Sequence, residues 1–109
     1  MEKLCMVYIT ASNREEAGRI GKEIVSRRLA ACANIFDGVT SFYRWGGKEQ
    51  HDTESVLILK TREALLPELE KAVKDIHSYS CPCIVTIPVL RANDDYAKWV
   101  LDETQKDMT

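Results

Sequence analysis

The chain has 109 residues with 15 basic against 17 acidic side chains. That is enough for one domain, residues 1–109, burying roughly two thirds of the surface its unfolded chain exposes, so neither a disulfide nor a metal is needed for folding. The balanced charge, without a block of one sign, excludes nucleic acid as a partner, and the absence of an uninterrupted apolar run in the first twenty residues excludes a secretory leader or a spanning helix and predicts a soluble, cytoplasmic protein.

Leu4 to Thr10 is a branched, apolar run that reads as a strand. Ser12 with Glu15, or Asn13 with Glu16, has the spacing of a capping box and opens a helix. Ala17, Ile20, Ile24, Val25 and Leu29 place a single apolar stripe on that helix and leave Glu15, Glu16, Arg19, Lys22, Glu23 and Arg27 as a solvated face. The small residues Ala30 to Ala33 let two backbones approach, and aromatic and branched residues then run to Trp45 as an extended strand. Gly46-Gly47 supplies the positive backbone angles of a tight hairpin turn, and a second strand returns to Thr61. Its first half, Lys48 to Glu54, is polar, whereas Val56 to Leu59 is apolar and covered on both sides. Asp37-Gly38 is read as a bulge within the long strand, because a turn there would leave too few residues before the glycine pair.

Leu65, Leu69, Ala72, Val73 and Ile76 have helical spacing, with Pro67 tolerated in the first turn and the helix ending near His77. Cys83 to Leu90 is a strand in which Pro88 requires an edge or a bulge. A last helix, capped near Asn93 or Asp94, turns Tyr96, Trp99 and Val100 inward. The order is strand, helix, strand, strand, helix, strand, helix. It defines an α+β fold, a ferredoxin-like split βαβ sandwich with a long hairpin and an extra C-terminal helix.

This plan hosts many activities, so the chemistry has to be sought in the residues. The loop after the first strand, TASNREE, lacks the Cys-x-x-Cys of a metal-transfer domain and the glycines of a phosphate cradle. The central strand Val56 to Leu59 lacks the aromatics of an RNA platform. No Walker loop, His-Glu-x-x-His pair or Gly-x-Ser-x-Gly elbow is present, and no nucleophile, base and anion cradle occur together, so no enzymatic activity is expected.

The cluster IHSYSCPC, residues 76 to 83, does carry chemistry. Four cysteines without an export signal read as reduced thiols, with Cys5 and Cys32 as packing residues. Cys81 and Cys83 are two apart, so on extended chain both sulfurs project to one side, and His77 can bring an imidazole alongside. Such a set suits Cu(I) or Zn. The alternatives are packing for each cysteine and, for His77, pairing with the carbonyls at its own helix end. His51, on the polar half of the hairpin, reads as solvated, while Tyr43, Arg44 and Trp45 form either a ligand pocket or subunit glue. A hairpin this long and aromatic predicts association, with closed three-fold pairing to hide its edges.

Arg28-Leu-Ala-Ala-Cys32 with Asn34, Gly38-Val-Thr-Ser41, Tyr43-Arg-Trp45 with Gly47-Lys48, Lys60-Thr61, and His77, Tyr79 and Pro82 together resemble the CutA family of small divalent-cation-tolerance proteins over nearly the whole chain. The resemblance implies a tight homotrimer paired through strands, metal ions as partners, and copper or another divalent cation as ligand. The family's histidine turn reads His-Pro-Tyr-Glu followed by Pro-Glu, and here Ser78, Ser80 and Cys83 replace the proline and both glutamates. Some bacterial members carry copper-linked residues, a cysteine ending the first strand and a histidine pair ending the second helix, where this chain has Ile9, Ile76 and His77. Two functions then compete. One is a metal-responsive protein with His77, Cys83 and Cys81 as ligands. The other is a trimeric module related in architecture to the PII signalling proteins, holding a small ligand or partner in inter-subunit clefts near Lys60, Arg44 and Tyr79.

Overall fold

A computed structural model describes residues 2–105. Its elements are β1 (Leu4–Ala11), α1 (Arg14–Ser26), β2 (Cys32–Trp45), β3 (Lys48–Arg62), a 3₁₀ turn over Glu63–Leu65, α2 (Leu66–Ile76), β4 (Ile84–Pro88) and α3 (Asp94–Glu103). The strands form one antiparallel sheet in the order β2-β3-β1-β4. This is the α+β ferredoxin-like arrangement, with α3 added at the end.

Alternation along β1 decides which sheet face is buried. Val7, Ile9 and Ala11, with Leu57 and Leu59 of β3, meet Ala17, Ile20 and Ile24 of α1 and Leu69, Ala72 and Val73 of α2 in one core. The opposite face is covered only in part. There α3 lies over the end of β3, where Lys60 sits under the Tyr96 ring and Arg62 reaches Leu101 and Thr104. Val100 is buried as expected, but Trp99 is 43% exposed. A ten-residue helix meets the sheet along a narrow line, and Trp99, one residue from Val100, tilts over Tyr96 at 5.6 Å instead of entering the core.

Local signals placed most boundaries. Asn13, rather than Ser12, caps α1, its side chain accepting from the Glu16 N–H at 2.9 Å. Asn93 caps α3 in the same way. Gly46 and Gly47, at φ 60 and 79, make the two-residue turn that pairs Trp45 with Lys48. The register slips between Phe36 and Val39, which confirms the bulge at Asp37 and Gly38. Ser55 donates to Asp37 there at 2.7 Å, and this bond, with the Gly38 N–H, holds the Asp37 carboxyl below its ordinary range. Pro67 lies in the first turn of α2, and Pro88 ends an edge strand that is shorter than the Cys83 to Leu90 run suggested.

The end of α1 is a Schellman motif, with Leu29 N–H donating to Ile24 O and Arg28 N–H to Val25 O. The residue in the left-handed conformation is Arg28, at φ 60, not glycine. Its guanidinium offsets the strain by donating to the carbonyls of Glu103 and Asp102, so the turn that ends α1 also caps α3.

Candidate functional site

At the end of the sheet where β1 finishes, the α2–β4 connection lies beside the projecting part of the long hairpin, which reaches Trp45 at its turn. Between them lies a cleft of about 670 Å³. Thr10 is on its floor, Ser41, Phe42, Tyr43 and Trp45 come from β2, Gln50 and Glu54 from β3, and Tyr79, Ser80, Cys81 and Cys83 from the connection. Five residues expected from the sequence therefore meet here: Tyr43, Trp45, Tyr79, Cys81 and Cys83. Cys81 is exposed and Cys83 half-buried, both thiols are free, and both face the cleft, as the two-residue spacing requires. Packing does not account for Cys81.

His77 lies behind this wall. Its side chain is fully buried and both ring nitrogens are engaged: Nε2 donates to Thr10 O at 2.9 Å, and Nδ1 accepts from the Tyr79 N–H at 3.0 Å. The ring is thus held in one tautomer, with no lone pair free for a metal. Nor does it pair with its own helix end, whose Ile76 carbonyl accepts from Arg19 instead. The expected ligand is a brace, tying the connection to the end of β1. Among the described residues no three histidine, cysteine or acidic side chains are grouped to hold a metal ion. The donors that suit a soft ion are the two cysteines.

Two carboxylates outside the sequence-based candidates organise the connection. Glu16, assigned to the solvated face of α1, is buried and accepts from Ser12 N–H and Oγ at 2.9 and 2.8 Å and from Ser78 N–H at 2.8 Å. Burial pushes its carboxyl up, but the hydrogen bonds from Ser12 and Ser78 outweigh this and hold it at about 2. The capping-box spacing pointed to Glu16 as a helix-end residue; nothing in the sequence pointed to Ser78. Glu54, at the inner end of the polar half of β3, is also buried and accepts from the Tyr79 hydroxyl at 2.8 Å. Burial and then Glu54 push the Tyr79 phenol well above its ordinary range.

The other expected residues are dispersed. Tyr43 donates to Asp52, which raises its phenol. Arg44 points away, donating to Gly47 O at 2.9 Å beside an exposed ion pair with Glu49. Lys60 is under Tyr96 near α3, and His51 stacks on Phe42 at 4.8 Å on the exposed hairpin. Cys5 is a packing residue, its thiol pushed up to about 11 by burial and Glu63. Cys32 is only half-buried and faces Asn34 Oδ1 at 3.7 Å.

The fold and cleft define a ferredoxin-like protein with a thiol- and aromatic-lined site alongside its hairpin. Residues 5–103 match the family model described as CutA1 divalent ion tolerance protein, and the chain belongs to that family. It is 45% identical over 98 residues to the divalent-cation tolerance protein CutA of Archaeoglobus fulgidus, covering 90% of this chain and 94% of that one. It is 40% identical over 100 residues to the chloroplastic protein CutA of Arabidopsis thaliana, covering 92% of this chain but spanning 55% of that protein's length. The crystal structure of CutA1 from Oryza sativa superposes with a TM-score of 0.93 at 40% identity, over 96% of both chains. No described helix is long and apolar enough to cross a membrane.

Proposed function

We propose that this chain is a non-catalytic, cytoplasmic divalent-cation tolerance protein, a single domain that assembles as a homotrimer and responds to soft cations, copper foremost, through Cys81 and Cys83. The observation that carries this reading is the cleft, which turns both thiols toward one space and braces their segment from behind with His77. Thiolates favour Cu(I) over Mg or Ca. Of the three ligands expected from the sequence, the cysteines keep that role and His77 becomes a positioning residue.

Assembly is supported by apolar surface that the isolated chain leaves open. Phe36 and Val85, on the sheet face away from α1 and α2, are 55% and 51% exposed, and Trp45 on the hairpin is 58% exposed. Closed pairing between copies would cover this surface and hide the β2 and β4 edges.

The test is competitive Cu(I) titration of the reduced wild type, Cys83→Ser and His77→Ala, with light scattering in parallel. Cys83→Ser should lose tight stoichiometric binding while the trimer persists. His77→Ala should weaken binding by roughly ten- to a hundredfold, as loss of a supporting residue does. Wild-type affinity should rise with pH as the thiols deprotonate on binding. Identical isotherms for the three proteins would remove the metal site, and a monomer mass would remove the trimer.

A second reading, a small-ligand module, is favoured by the buried Glu54–Tyr79 pair beside Tyr43 and Trp45 in the same cleft. Arg44 and Lys60 lie outside this cleft of the single chain, so in that reading they serve the clefts formed between subunits.

A further inference from the structure

We infer that Cys81 and Cys83 form a reversible dithiol–disulfide couple on the cleft wall, oxidised by thiol–disulfide exchange with a low-molecular-weight disulfide of the glutathione class. The inference does not depend on metal binding.

Three observations carry it. Both cysteines are free and line one cleft, with Cys81 exposed and Cys83 half-buried. Pro82, which separates them, holds φ near −65° and keeps the chain short of full extension. The two Cα atoms, limited to roughly 7 Å even on extended chain, are thereby drawn toward the roughly 4.4–6.8 Å that a disulfide requires. Finally, the segment is anchored just upstream, through Ser78 to Glu16 and through Tyr79 to His77 and Glu54. Bond formation can therefore be absorbed within residues 81–83 without moving the core. Cys5 is buried with a raised thiol, and Cys32 faces Asn34 on β2, so neither joins the pair.

Exposure sets the order of events. The Cys81 thiolate attacks one sulfur of the external disulfide, whose S–S bond breaks and whose electron pair leaves on the first small-molecule thiolate. A mixed disulfide remains on Cys81. The Cys83 thiolate then attacks Cys81 Sγ and displaces the second small-molecule thiolate. Two electrons pass from the protein pair to the oxidant, which becomes two thiols, and the two protons given up by the cysteines end on them. The ring so closed is small and strained, which makes it readily reducible.

The experiment equilibrates the full-length reduced protein, free of added metal, with oxidised and reduced glutathione at graded ratios, then quenches with an alkylating reagent. The wild type should lose two of its four titratable thiols, and its tryptic peptide 75–91, which contains both cysteines, should appear unalkylated and about 2 Da below its dithiol mass. Adding a reductant should restore all four thiols. Cys83→Ser should stop at a glutathione adduct on Cys81, and Cys81→Ser should gain adduct much more slowly than Cys83→Ser does. The inference fails if all four thiols of the wild type survive the most oxidising ratio, if the wild type stops at a mixed disulfide, or if the bond formed joins two copies. Reading the peptide from the wild type decides the matter even if a variant does not fold.

Discussion

Arg62 and Glu16 are both buried and charged, and they do different work at opposite ends of the sheet. The Arg62 guanidinium donates to Thr104 Oγ1, Thr104 O and Leu101 O at 3.1 Å and to Glu2 Oε1 at 3.0 Å. Three of these four acceptors belong to Leu101 and Thr104 at the end of α3, so it closes the fold. Glu16 takes its shorter hydrogen bonds from Ser12 and from Ser78, with Arg19 at 3.5 Å, and Ser78 belongs to the connection that carries Cys81 and Cys83. A buried charge is tolerated when its polar partners are complete, and what it then organises depends on where those partners lie in the chain.

Arg62→Ala should separate the two ends most sharply. It leaves Leu101 O, Thr104 O and the Thr104 hydroxyl without this donor, at about 1–3 kcal/mol for each buried acceptor so orphaned, while Glu2 is exposed enough to find water. Urea unfolding at fixed protein concentration reads this as a lower midpoint. Thiol reactivity of Cys81 and Cys83 in the folded variant should stay at the wild-type level; a change there would mean that the two ends are coupled.

Glu16→Gln comes next. The folded carboxyl lies at about 2 against an ordinary 4.5, which at about 1.4 kcal/mol per pH unit is on the order of 3 kcal/mol. The folded state holds its proton less tightly than the unfolded state does, so this contribution is fully present above about pH 4.5 and is lost as pH falls toward about 2. The wild type should therefore lose stability steeply across that window and the variant much less. Parallel acid limbs for the two proteins would show that Glu16 is not the group responsible. Unlike Arg62→Ala, this change should also raise the reactivity of the cysteine pair.

Tyr79→Phe should have the smallest effect, about 1–2 kcal/mol, because it removes one hydroxyl donor from the Glu54 carboxylate and leaves the ring in place. The Glu54→Gln variant sharpens this: if the hydroxyl matters only through Glu54, adding Tyr79→Phe to it should cost well under the single change.

The order of elements, the glycine turn, the bulge and, to within one residue, the caps of the first and last helices were legible in the chain because each depends on residues within a few positions of one another. Backbone angles at Gly46 and Gly47, the Asn13 to Glu16 spacing and the apolar run of β1 need no distant partner to be read. The pairing of Cys81 with Cys83 on one side is of the same kind. Burial of a polar group is different, because it becomes favourable only when the matching donor or acceptor arrives. For Glu16 that donor is 62 residues away, for Tyr79 and Glu54 the separation is 25, and for Arg62 and Glu2 it is 60. The sequence alone marked Glu16 as surface, Glu54 as part of a polar strand half and His77 as a candidate ligand. Tertiary packing turned the first two into buried acceptors and occupied both nitrogens of the third, because each desolvated group had to find a partner across the fold.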